Sequence, residues 1–258
     1  MAGAATLLEH AVALLLVLGR TASFLAAGPV LRRLPVPRLP ATGLVLVVAL
    51  LIEGAGLGPR PADLAPSLAL AFRLSTEVAI GLLLGLLANL VFESMRLAGE
   101  LVGLSMGLSA ATLFNPEDHS QGSLAGTFYG LVAGLAFFLV DGHHALLRLL
   151  VLSYRVAPIG TASIPPGAGE ALVAMAGALF GLGLRIAAPV LTALLLTDLA
   201  MAILGRAVPQ MPVYFVVLPL KIGIGIALMI VTLPAVLGVL GTGFDHMEAD
   251  LLRLVEGL

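Results

Sequence analysis

From Ala171 to Thr197 the chain carries a single charged side chain, Arg185, and from Val213 to Leu240 again only one, Lys221. An apolar run of about 20 residues is what a helix needs to cross the hydrocarbon of a bilayer. The rest of the chain offers no means of hiding such runs in water: 60% of its 258 residues are hydrophobic and 11% are charged, too few to cover an exterior. The class this fixes is all-α, a polytopic membrane protein of helical hairpins kinked at proline and glycine. It reads as one helical domain over residues 1–258.

A net charge of −2 points away from nucleic acid as a partner. With no cysteine there is no disulfide, thiolate nucleophile or cysteine metal site. Glu9, His10 and Arg20 spoil the pattern of a cleavable signal. Tryptophan is absent, so the usual aromatic belt of a bilayer protein is missing, which fits a chain largely surrounded by other protein.

Two glycine series organise the middle of the chain. Gly99, Gly103 and Gly107 are followed by Gly122, Gly126, Gly130 and Gly134, each series repeating at a spacing of four. On a helix such glycines form a stripe that lets a second backbone come close. Between them lies a polar stretch, Ser109 to Gln121, with Asn115, Pro116, Glu117 and Asp118 at its tip. Two readings stay open here. The stripes only pack helices, or the close packing also presents the tip to something that binds or passes.

The charges inside apolar sequence need partners. Arg73 and Glu77 stand four apart on one helical face and can pair, as a structural bridge, a subunit contact or a headgroup anchor. Glu93, Arg96 and Glu100 form a row on the helix leading into the first glycine series. Arg185 and Lys221 each call for a carboxylate or backbone partner, with Asp198 suited by type to Lys221 and Arg206 close by in sequence. At Asp141-Gly-His-His144 the adjacent histidines should project about 100° apart on a helix, a poor two-ligand arrangement, so no metal site is expected. Asp141 reads instead as the N-cap of an amphipathic interfacial helix ending near Val156. The tail, 244–258, reads as a separate amphipathic docking helix. If seven apolar segments alternate, the Lys and Arg distribution places the N-terminus outside and the tail in the cytoplasm.

No phosphate loop, HExxH, nucleophile elbow or catalytic acidic pair is present, so neither an enzyme nor a cofactor is expected. A small-solute secondary transporter is the alternative, weakened by the lack of matched broken helices in two halves.

Four stretches together resemble the FliR family of export-gate subunits in flagellar type III secretion, with the injectisome SctT proteins as relatives. They are Arg20 to Pro29 with Pro37; Glu93 to Gly107 running on to Asn115-Pro116; Gly142-His-His144 with Ser153-Tyr154 and Pro158-Ile-Gly160; and Asp198 with Gly205-Arg206, Pro209-Gln210-Met211 and Leu218-Pro-Leu-Lys-Ile-Gly223. Pro212 and Asn115 depart from the family's common Asn and Asp. The resemblance implies a subunit of a multisubunit gate in the bacterial inner (plasma) membrane, within the flagellar basal body. Its implied partners are FliP-like and FliQ-like subunits, FlhB-like and FlhA-like proteins, and unfolded export substrates passing a central channel. It implies a channel plug within 105–121, with Met106, Leu108, Phe114, Asn115, Pro116, Glu117 and Asp118 lining or closing the lumen. Arg73, Glu77, Arg185, Asp198, Arg206 and Lys221 become ion pairs or subunit contacts, with packing inside the chain as the plain alternative.

Overall fold

Apolar runs without a polar competitor for their backbone bonds become helix, and the computed structural model shows seven helices among the residues it describes: 2–29, 37–56, 68–108, 123–161, 167–208 and 213–256. They are α1 (Ala2–Ala27), α2 (Arg38–Gly54), α3 (Leu68–Met106), α4 (Leu124–Leu139), α5 (Gly142–Val156), α6 (Ala168–Ala207) and α7 (Val213–Glu256). Four of them, α1, α3, α6 and α7, are long and apolar enough to cross a membrane, and α4 with α5 makes a fifth if that broken pair counts as one span. Among the described residues, then, four or five helices, not seven, have the length and composition of a span. Leu39–Gly54 is a shorter apolar helix, and the orientation drawn from seven spans loses its premise.

Two boundaries differ from the sequence expectation for one reason. α6 continues through Pro189 and Asp198 to Ala207, and α7 continues through Pro219 and Pro234 to Glu256. A proline forfeits one backbone bond and crowds one turn, but in apolar surroundings the neighbouring bonds have no water to exchange for. The tail is thus the end of α7 and not a separate helix. Nothing between Leu240 and Phe244 breaks it. Its amphipathic character persists, with Met247, Leu251 and Val255 buried at a spacing of four.

Contacts divide the chain into two compact units: Met1–Leu90 with Asp141–Ala176 and Asp245–Leu258, and Val91–Val140 with Gly177–Phe244. In the first, α1 lies on α3 along bare backbone. A Cβ on Gly85 would stand 2.5 Å from the Phe24 carbonyl oxygen, and one on Gly81 would strike Ser23 and the Arg20 carbonyl. Leu16, Phe24, Ile80, Leu84 and Leu87 fill that core. In the second, Phe92, Phe137 and Phe244 pack with ring centroids 5.2 to 5.7 Å apart. The apolar windows of α6 and α7 are only 28% and 17% buried, against 61% for α3.

Candidate functional site

The second unit holds the stem of the hairpin whose tip the sequence singled out. α3 ends where Gly107 takes φ +81°, a left-handed conformation that favours glycine. The Gly107 N–H donates to Leu104 O and the Leu108 N–H to Gly103 O, both at 3.0 Å, the double bond of a Schellman helix end. Gly107 therefore closes the helix and does not continue the packing stripe.

The other glycines divide by what they face. A Cβ on Gly99 would sit 2.5 Å from the Ala125 carbonyl oxygen and 2.7 Å from the Gly126 nitrogen, so backbone opposes backbone. One on Gly103 would lie 2.5 Å from Ser123 Oγ. Gly126 faces the movable end of Glu100, with Oε1 2.6 Å from its built Cβ, and Gly134 has nothing within 4 Å. Gly130 is half-buried on α4, and Gly122 lies outside the described residues.

Ser123 fastens the two helices. As N-cap of α4 its Oγ accepts from the Gly126 N–H at 2.9 Å and donates to Gly99 O at 3.2 Å. Its own N–H donates to both Glu100 oxygens, at 3.0 and 3.1 Å. Glu100 thus crosses to the start of α4, where a carboxylate also suits the helix dipole, while Arg96 donates to Glu93 at 2.8 Å. The sequence reading missed this latch. A serine immediately before an apolar run was the signal that could have found it.

Of the residues expected at a lumen, Met106 is buried and rests on bare Gly225, whose built Cβ would stand 2.7 Å from the Met106 sulfur. Leu108 is half-buried and lines, with Met106, Leu124, Phe128, Ile226 and Met229, an apolar groove of about 430 Å³. Phe114, Asn115, Pro116, Glu117 and Asp118 lie outside the described residues.

The first unit holds a charge cluster that sequence spacing did not assemble. Arg20 and Glu77 are both fully buried and meet at 2.6 Å, Nε donating to Oε2. The guanidinium Nη1 donates to Ser153 O at 2.8 Å and to Ser153 Oγ at 3.4 Å, and Nη2 donates to Ala157 O at 3.1 Å. Arg20 Cζ lies 4.4 Å from the Tyr154 ring centroid, a cation–π contact. Tyr154 donates to Val17 O at 3.0 Å, and the Gly160 N–H donates to Glu77 Oε1 at 2.8 Å. Glu77 is thus held by a residue of another helix. Its expected neighbour Arg73 lies alongside Gly160, whose built Cβ would stand 3.6 Å from Arg73 Cδ. Arg20, Ser153, Tyr154 and Gly160 come from two of the four stretches that carried the family resemblance.

Back in the second unit, Lys221 Nζ lies 2.8 Å from Asp198 Oδ1. Arg185 and Arg206 are exposed, and among the described residues neither makes an ion pair. What the described residues offer is close helix packing and two ion pairs, Arg20–Glu77 and Lys221–Asp198.

Residues 11–247 match the family of bacterial export proteins, family 1. The flagellar biosynthetic protein FliR of Escherichia coli K12 is 31% identical over 241 residues, 93% of this chain and 89% of that protein. The chain belongs to the FliR family. The FliR of Bacillus subtilis strain 168 is 30% identical over 252 residues, 94% of this chain and 95% of its own. That of Pectobacterium carotovorum is 32% identical over 241 residues. The match with this family spans both compact units and all seven described helices.

Proposed function

We propose that this FliR-family chain is a non-enzymatic subunit of the flagellar type III export gate, in the bacterial inner membrane at the flagellar basal body. There it joins FliP-like and FliQ-like subunits, meets FlhB-like and FlhA-like proteins, and helps form the channel for unfolded flagellar proteins. Within that gate the segment from Leu108 through Phe114, Asn115, Pro116, Glu117 and Asp118 closes the lumen at rest, on a base that buried Met106 helps to pack. The observation that carries the reading is the hairpin stem. Backbone contact at Gly99, the Ser123 cap and the Glu100 latch hold the two ends of the 109–122 segment on a rigid base. A closing element needs such a base, because a plug hung on a loose stem would seal nothing. The bare faces of α6 and α7 suit partner subunits.

A small-solute carrier fits less well. Its mark is a buried charge that substrate can engage, and the Arg20–Glu77 pair is already occupied by four further polar groups of its own chain. Removing Ser109 to Gln121 tests the closing role. The expected result is an assembled gate whose membrane leaks ions. Unchanged ion permeability, with assembly verified, would remove the plug.

A further inference from the structure

The geometry points to a divalent-cation site at the start of α5, formed by Asp141, His143 and His144. Each offers one ligand atom, and the three atoms lie within 4.8 Å of one another. The sequence expectation counted against this, since neighbouring helical side chains diverge. Here the two imidazoles stand with centroids 4.1 Å apart, tilted by 37°. Asp141 is displaced from ordinary helix entry. It is the one non-glycine residue at positive φ among those described, at 56°. It occupies the N-cap position without making a side-chain capping bond. Its Oδ1 faces His144 Nδ1 at 3.1 Å instead.

That separation is already close to the roughly 3.4 Å between two ligands of a tetrahedral zinc ion bound at about 2.1 Å. Since no pair of the three atoms is more than 4.8 Å apart, a nitrogen of His143 comes into range by a side-chain shift of at most about 1.4 Å. Two imidazoles and one carboxylate leave coordination positions for water. With no sulfur ligand, the set suits Zn²⁺, Co²⁺ or Ni²⁺ in preference to a soft ion such as Cu⁺. Asp141 supplies the negative charge that offsets the positive end of the α5 dipole. The dipole still opposes a cation, so the site binds more weakly than a structural zinc centre.

The full chain, purified in detergent without a histidine tag and stripped with chelator, is titrated with Co²⁺ and then Zn²⁺. The visible d–d bands of Co²⁺ report its coordination, and calorimetry reports the stoichiometry. One ion per chain is expected, with Zn²⁺ displacing Co²⁺ and quenching the bands. Asp141→Asn keeps a residue suited to the left-handed backbone, and His144→Ala alters an exposed ring, so both variants preserve the fold. Each should weaken binding by about tenfold or more. Absence of saturable Co²⁺ binding overturns the site, and so does an affinity that neither variant changes.

Discussion

Arg20 has no route to water, so its contribution to stability is set by the groups around it. Every polar hydrogen that meets a partner does so inside the first unit, and Glu77 is equally enclosed. Breaking such a pair leaves a charge buried and uncompensated, which costs about 3–5 kcal/mol. Glu77→Gln should therefore lower the thermal unfolding midpoint of the detergent-solubilised chain sharply. Replacing both members, Arg20→Met with Glu77→Leu, should recover most of the loss, because apolar side chains of similar size remove the stranded charge. A Glu77→Gln midpoint equal to that of the unaltered chain would show that the pair does not hold the unit together. The pairing was half legible. A carboxylate in apolar sequence announces that it has a partner, and the four-residue spacing to Arg73 supplies a local candidate. A partner that local spacing does not offer, Arg20, lies 57 residues earlier in sequence, on α1. The family-like stretches contained Arg20, Ser153, Tyr154 and Gly160, yet resemblance alone does not say that they touch.

At the scale of the element, the glycine series shows what spacing reveals and what it leaves open. A repeat of four marks a stripe, but helix rotation and crossing decide which members meet a backbone. Gly99 meets one, Gly126 meets a side chain that can swing away, and Gly134 meets open space. Gly107 serves the helix end instead. Gly99→Ala should destabilise the isolated chain by about 1–3 kcal/mol through overpacking. Gly134→Ala should be neutral, or stabilising by about 0.5–1 kcal/mol from reduced backbone entropy in the unfolded chain. Ser123→Ala, which removes the cap, should cost about 1 kcal/mol. Unfolding midpoints of the three variants check the order. If Gly99→Ala and Gly134→Ala behave alike, close approach is not the reason for glycine in this stem. The long helices teach the complementary point. Proline in α6 and α7 reads as an interruption in sequence, whereas the apolar setting keeps each helix continuous around it.

At the scale of the molecule, the class was legible because it follows from a quantity that needs no geometry: apolar surface beyond what the chain can fold away. The number of crossings was not, because it depends on which short or broken segments reach full length. The remaining question is what covers α6 and α7, whose Ile203 and Val231 are 63% and 73% exposed. Lipid and partner subunits are equally apolar, so hydropathy cannot separate them. Oxygen dissolved in the bilayer can, because it collides freely with a probe facing lipid and poorly with one packed against protein. The chain has no cysteine, so Ile203→Cys and Val231→Cys each carry a nitroxide at one defined place. In liposomes holding the chain alone, both labels should show the high oxygen accessibility of a lipid-facing site. In the assembled gate, accessibility should fall several-fold at both, because α6 and α7 are then faced by neighbouring subunits. Equal accessibility in the two preparations would mean that lipid is the permanent cover of these helices, and the gate would have to assemble through other faces of the chain.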